Sequence, residues 1–129
     1  MNDLADRLGN PEDTATAGRV ATAVFGGIRD RIPVAESFHF ISQLPLILKG
    51  VYVDGWNISR ERSESRTMAD FIDDIRGQSP RTQSRDFGND QEAQDRIRQV
   101  FRSLQEYISP GQMEHLKNSL PRSIAEGIL

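Results

Sequence analysis

The fold of this chain is decided by a stretch that occurs twice. Residues 24–53, VFGGIRDRIPVAESFHFISQLPLILKGVYV, align without a gap with residues 100–129, VFRSLQEYISPGQMEHLKNSLPRSIAEGIL. The identical positions include both histidines of the chain, His39 and His115, and both Leu-Pro pairs. Self-similarity at a fixed offset is typical of a repeated structural unit, so the sequence predicts two related halves.

Each half is predicted to contain one long helix with an apolar face. Residues Asn10–Asp13 carry a start signal for the first long helix, and Asn89, with Glu92 in capping-box position, carries one for the second. Pro33 and Pro110 are predicted to end these helices. The apolar positions at helical spacing are Val20, Val24, Phe25, Ile28 and Ile32 in the first half, and Ile97, Val100, Phe101, Leu104 and Ile108 in the second.

A shorter helix is predicted after each long one. Pro45 and Pro121 are then expected to open a further helix, because proline disfavours helical geometry in the residue before it and suits a first helical turn. The apolar faces of the two shorter helices are Phe38, Ile41 and Leu44 in the first half, and Met113, Leu116 and Leu120 in the second.

Residues 46–53, LILKGVYV, are the ambiguous segment. By themselves they are typical of a strand, whereas the equivalent residues 122–129, RSIAEGIL, are not. Because equivalent repeats share a conformation, we interpret both segments as short helices.

Short apolar pairs spaced by four, Leu4 with Leu8 and Phe71 with Ile75, predict one more helix at the start of each half. The sequence therefore predicts an all-α single domain of two tandem, related repeats of about four helices each. The first repeat is residues 1–53, the linker is 54–67, and the second repeat is 68–129. We expect the two repeats to pack as a pseudo-twofold bundle.

Composition excludes several classes of function. The net charge is -3 and cysteine is absent, so disulfides and thiolate chemistry are excluded. No segment has the basic excess that binding to a phosphate backbone requires, and residues 45–52 would be a poor DNA-reading helix with Lys49 as their only charge. No run reaches the length of a membrane span, and the acidic N-terminus differs from a signal peptide. We expect a cytoplasmic protein that binds no nucleic acid and no membrane.

Several short motifs, taken in order, resemble a known family. They are Arg29-Asp30-Arg31-Ile32, Gln43-Leu44-Pro45, Gly50-Val51-Tyr52, Asp54-Gly55-Trp56, Ile108-Ser109-Pro110-Gly111 and Ser119-Leu120-Pro121. The chain resembles a widespread bacterial family of small helical proteins that is catalogued as a domain of unknown function. The resemblance implies an all-helical fold and a bacterial cytoplasmic origin, and it implies no activity.

The candidate site residues are few. His39 and His115 are equivalent, so a pseudo-twofold axis could bring their imidazoles together to bind a metal or sense pH, or each could bond locally. Trp56, with Tyr52, could anchor a partner or fold back onto the seam between the halves. Gln43 could offer a polar site at that seam or satisfy backbone groups freed by proline.

We therefore hypothesise a non-catalytic module that binds a protein partner, itself or another. The motivation is that no catalytic constellation is present and that residues 122–129 are apolar enough to need covering. The alternative is a small-ligand or metal carrier that uses the seam. An enzyme ranks third, because acid-base catalysis needs titratable groups that converge in a cleft. No cofactor and no metal are expected for the leading hypothesis.

Overall fold

The computed structural model describes residues 2–59, 61–78 and 86–128, and within these ranges it contains eight α-helices and no strand. The prediction of an all-α single domain is confirmed. The helices are α1 (Asn2–Arg7), α2 (Thr14–Arg29), α3 (Val34–Ser42), α4 (Leu46–Val53), α5 (Met68–Arg76), α6 (Asp90–Leu104), α7 (Pro110–Ser119) and α8 (Arg122–Gly127).

The helix boundaries follow the offset of the repeated stretch. Helices α2, α3 and α4 begin at residues 14, 34 and 46, whereas α6, α7 and α8 begin at residues 90, 110 and 122. Residues 46–53 are helical, so the choice of helix over strand is confirmed. The symmetry expected to relate the two halves in space stays a prediction.

Three of the predicted helix boundaries are wrong. Helix α2 begins at Thr14 rather than near Asn10, because the Asp13 side chain accepts a hydrogen bond from the Thr16 amide at 3.0 Å and caps the helix there. Pro33 and Pro110 do not end α2 and α6, which stop earlier, at Arg29 and Leu104. Pro33 is instead the N-cap of α3, and Pro110 is the first residue of α7, where a fixed φ and a missing N–H suit the first turn.

The capping box predicted for the second long helix is confirmed. The Asn89 side chain accepts from the Glu92 amide at 2.8 Å, and the Asn89 amide donates to Glu92 Oε1 at 3.4 Å. Two otherwise unpaired amides at the start of α6 are thereby satisfied.

Helix α2 lies at the centre of the core and contacts α1, α4, α5 and α6, while α3 packs on α7 and α8 packs on α5 and α7. All ten apolar positions predicted for the two long helices are buried. Gly27 lets α5 approach α2 closely, since a Cβ there would lie 2.8 Å from Phe71 Cε2. On α3 the prediction is wrong for Phe38, which is 52% exposed, and Phe40 occupies the core instead.

Residues 79–85, between α5 and α6, lie outside the described residues. Directly after the gap, Phe87 is buried, and the buried Asp86 carboxylate accepts two hydrogen bonds from Arg19, at 2.9 and 3.1 Å. These contacts attach the start of the second long helix to α2. Among the described residues, no helix combines the length and the apolar character that crossing a bilayer demands.

Candidate functional site

The two most exposed large apolar side chains of the described chain lie at the start of α4. Leu46 is 83% exposed and Ile47 is 74% exposed. Val53, at the other end of the helix, is 45% exposed. Residues 46, 50 and 53 are spaced by four and three, so they share one side of the helix, with Ile47 beside them. We term Leu46, Ile47, Gly50 and Val53 the α4 outer face.

The opposite side of α4 holds the helix on the core. Tyr52 is fully buried, and Leu48 and Val51 pack partly buried against the core. The end of α4 is held by Arg29, whose Nη1 donates to the Tyr52 carbonyl at 2.6 Å and to the Asp54 carbonyl at 3.2 Å. Cations that bond the last carbonyls of a helix satisfy its unpaired acceptors, so the orientation of α4 is well defined.

Helix α8 aligns with α4 in the repeated sequence but has a polar outer side. Arg122 and Ser123 are exposed where α4 has Leu46 and Ile47, and Arg122 Nε lies 2.9 Å from Glu126 Oε1. Ile124 and Ile128 are buried. The expectation that this terminal helix needs a partner to cover it is therefore wrong for these two isoleucines, because their own domain covers them. Leu129 lies outside the described residues.

Trp56 folds back toward the end of α4. Its amide donates to the Val53 carbonyl at 3.0 Å, and its ring lies 5.6 Å from Tyr52 and 5.8 Å from Phe38, measured between centroids. The two rings that Trp56 contacts both belong to the first half. The structure therefore brings Tyr52 and Trp56 together, as the sequence analysis suggested, beside the α4 outer face.

Tyr52 supports this surface from beneath. Its hydroxyl lies 2.6 Å from Ser37 Oγ, and its ring contacts Phe25 and Phe40. Burial raises the pKa of Tyr52 to about 12, against a smaller lowering by the hydrogen bond with Ser37. The phenol is therefore neutral at physiological pH and acts as a core group rather than as a surface anchor.

The two histidines lie on α3 and α7, and both are exposed. The His39 side chain is 71% exposed, with Nδ1 4.0 Å from Glu36 Oε2. The His39 backbone carbonyl accepts a hydrogen bond from the Ser42 hydroxyl, and the His115 carbonyl accepts one from the Ser119 hydroxyl. Within residues 2–59, 61–78 and 86–128, no three His, Asp or Glu side chains are grouped so that they could hold a metal ion.

Gln43 joins α3 to α7. Its Oε1 accepts from the Ser109 amide at 2.7 Å, and its Nε2 lies 3.4 Å from Ser109 Oγ. Ser109 is the N-cap of α7, where backbone amides lack partners within the helix. Gln43 therefore lies between the two halves and satisfies a backbone group, which was one of the two predicted alternatives.

The α4 outer face was missed by the sequence analysis, although a signal was present. Six of the eight residues in LILKGVYV are apolar, which is more than one buried side of a two-turn helix holds. Once the segment is helical, some of these side chains must lie outside.

These features define an all-α, single-domain protein with an exposed apolar helix face in its first half. The chain belongs to the family described as an uncharacterized conserved protein, DUF2267, which matches residues 1–126. The resemblance inferred from the sequence motifs is thereby confirmed at the level of the family. No curated protein matches this chain.

Proposed function

We propose that this protein is a non-catalytic helical module that binds a protein partner, and that the α4 outer face is the centre of the contact. The observation that carries the proposal is the exposure of Leu46 and Ile47 next to each other. Apolar surface removed from water contributes about 25 cal/mol per Å². Single exposed apolar residues are ordinary, whereas a contiguous apolar surface on a defined helix marks an interaction site.

The neighbouring aromatic residues extend this surface. An eight-residue helix is only about 12 Å long, and a specific interface buries roughly 800 Å² on each partner, so α4 alone is too small. Phe38 is 52% exposed and contacts Trp56, which follows Val53 closely in space. Aromatic side chains of this kind are the usual anchors of interfaces.

Gly50 gives the outer face a depression. A Cβ at this position would have no heavy atom within 4 Å, so the glycine is not required by packing inside the domain. Glycine inside a helix destabilises it by roughly 0.5–1 kcal/mol relative to alanine. Close approach of a partner's backbone would explain why this cost is tolerated.

A pseudo-twofold relation between the halves is part of the proposal. It is supported by the equivalent helix boundaries and by the packing of α2 on α6 and of α3 on α7. It is also supported by the hydrogen bond from Gln112 Nε2 to Glu36 Oε1 at 3.0 Å, which joins residues 76 positions apart. Equivalent residues meet each other only near a twofold axis. The proposed axis therefore passes between α3 and α7.

The bacterial cytoplasmic setting and the lack of enzymatic activity belong to the same proposal. They rest on the family resemblance and on the sequence, which has no catalytic motif. The partner presents an apolar surface of its own. A second copy of the chain meets that requirement, since a twofold contact places the same face on both sides.

Site-specific photo-crosslinking tests the proposal in the intact host cell. A photoreactive residue replaces Ile47 in one variant and Ser123, its equivalent on α8, in the matched control. We expect a discrete crosslinked protein from position 47 and none from position 123. Twice the chain mass would identify a second copy. Equal crosslinking at both positions, or none at position 47, would contradict the proposal.

A charge substitution gives a second test. Val53 carries the photoreactive residue, and Ile47→Lys is compared with Ser123→Lys. We expect Ile47→Lys to abolish the crosslink, because a desolvated ammonium has no partner in an apolar contact. Ser123→Lys is expected to leave the crosslink unchanged.

A further inference from the structure

The segment formed by residues 61–66 lies between two polar cavities of opposite charge. One cavity, of about 430 Å³, is acidic, because Glu61 lines it together with Asp30, Asp73 and Asp74. The other, of about 500 Å³, is lined by three arginines, Arg31, Arg62 and Arg66. We term the second cavity the arginine cavity. Its lining residues are Arg31, Arg62, Ser63, Glu64, Ser65, Arg66, Asn118, Ser119, Leu120 and Pro121.

Arg31 is the buried member of the arginine cavity. Its side chain is 0% exposed, its Nη1 donates to the Gly27 carbonyl at 3.1 Å, and its Nη2 is paired with Asp74. The guanidinium also lies over the Phe71 ring, 5.0 Å from the centroid. Its Nε is buried and has no hydrogen-bond partner among the described residues. A buried N–H without an acceptor is rare in folded proteins, so this atom points to an acceptor outside the described residues.

The rest of the lining is rich in donors. Arg62 and Arg66 are exposed and contribute two positive charges, which Glu64 opposes with one negative charge. The Ser119 hydroxyl donates to the His115 carbonyl at 2.9 Å, so its oxygen is anchored at the wall. Since Asp74 already neutralises Arg31, the two exposed arginines give the cavity its net positive charge.

We infer that the arginine cavity binds a small molecule that carries a phosphate group. Arg62 and Arg66 hold the phosphate oxygens, and the buried guanidinium of Arg31 lies behind them at the floor of the cavity. The planar guanidinium fork matches phosphate geometry, and two exposed arginines offer more N–H donors than a single carboxylate accepts. A volume of about 500 Å³ lies within the range of small-molecule sites and leaves room for more than the phosphate.

This inference is independent of the α4 outer face. NMR titration of the full chain with pyrophosphate, at constant ionic strength, tests it. We expect saturable shifts confined to the amides of residues 62–66 and 118–120. Because replacing the buried Arg31 threatens the fold, the variants change exposed residues only.

Three variants sharpen the test. The double variant Arg62→Gln/Arg66→Gln is expected to weaken pyrophosphate binding by about tenfold or more, since each charge-assisted hydrogen bond contributes substantially. Arg102→Gln, exposed on α6 and outside the cavity, is expected to bind as the unchanged protein does. Glu64→Gln is expected to tighten binding, because it removes the opposing charge.

Two outcomes would overturn the inference. One is the absence of saturable shifts at millimolar pyrophosphate, or shifts that the double variant and Arg102→Gln reproduce equally. The other is that the protein sediments with vesicles that contain phosphatidic acid, while its pyrophosphate binding does not saturate. That result would assign the arginines to a lipid surface instead of a small molecule.

Discussion

Helices α4 and α8 align with each other in the repeated sequence, yet they present opposite surfaces. Both follow a Leu-Pro pair, and a residue near the end of each is buried, Tyr52 within α4 and Ile128 directly after α8. On the outer side, α4 exposes Leu46 and Ile47. Helix α8 carries a salt bridge there, between Arg122 and Glu126.

This difference separates the positions whose apolar character is required by core packing from the positions where packing sets no such requirement. The inward positions face a shared core, where any loss of apolar volume is costly. The outward positions face water, and the folding of α8 shows that a polar outer side suffices for the helix that aligns with α4 in sequence. The apolar outer side of α4 therefore has no explanation within the domain, and this is why we assign function to α4 rather than to α8.

The largest expected effect comes from the inward side of α8. Ile124→Ala is expected to lower the free energy of unfolding by about 2–5 kcal/mol, because the side chain is fully buried and its loss leaves a cavity. Ile47→Ala, on the outer side of α4, is expected to change it by less than about 0.5 kcal/mol. Urea unfolding measures both. A large loss for Ile47→Ala would show that the domain needs the outer face for its own stability.

The second prediction concerns pH and the inward side of α4. Since the pKa of Tyr52 is raised to about 12 from 10.0, the folded state resists ionisation of the phenol. Stability from this group is complete below pH 10 and is lost as pH rises through 12, by on the order of 2 kcal/mol. Unfolding followed between pH 9 and pH 12 measures the loss.

Two variants isolate this contribution. In Tyr52→Phe, the free energy of unfolding is expected to fall less between pH 9 and pH 12, because no phenol remains at position 52 to ionise. Tyr107→Phe, at a tyrosine that is 43% exposed, is expected to retain the full alkaline loss. An unchanged alkaline profile in Tyr52→Phe would mean that other groups cause the loss.

The third prediction concerns the hydrogen bond between Tyr52 and Ser37. At neutral pH, Tyr52→Phe is expected to cost about 1–2 kcal/mol, because the buried Ser37 hydroxyl loses its partner. The double variant Tyr52→Phe/Ser37→Ala is expected to recover part of this cost, since no unpaired hydroxyl remains. Thermal or urea unfolding measures which of the two variants is the more stable. If the double variant were the less stable of the two, the hydroxyl pair would not be the cause.

The smallest expected effect is at the centre of the outer face. Gly50→Ala is expected to stabilise the isolated domain by about 0.5–1 kcal/mol, because alanine favours helix and the Cβ meets open space. It is also expected to weaken the crosslink from position 47 if the partner's backbone approaches Gly50. Higher stability with an unchanged crosslink would place the contact toward Leu46 and Ile47 only.

Much of the fold could be predicted from the sequence because its signals are local. The Asn89–Glu92 capping box and the periodic apolar positions of α2 and α6 depend on residues within a few turns of each other. The errors also have local causes. Asp13 competes successfully with Asn10 as a cap, and Pro33 starts a helix where it was expected to stop one.

The candidate sites could be predicted much less well. Tyr52 and Trp56 are close in the sequence, but their neighbours in space come from another helix. Phe38 contacts Trp56, and Ser37 shares a hydrogen bond with Tyr52. The cavity lined by Arg62 and Arg31 joins the linker to the turn between α7 and α8, and residues so far apart in the sequence give no local signal of a shared site.

Two runs of helices with equivalent starting points follow from the amino-acid sequence alone, because caps, prolines and apolar periodicity act over short distances. The side of each short helix that is covered depends on the packing of the whole domain. A helix of two turns buries only the side that its neighbouring helices contact. Helix α8 packs on α5 and α7, whereas α4 packs on α2 and α3 and turns Leu46 and Ile47 to the solvent.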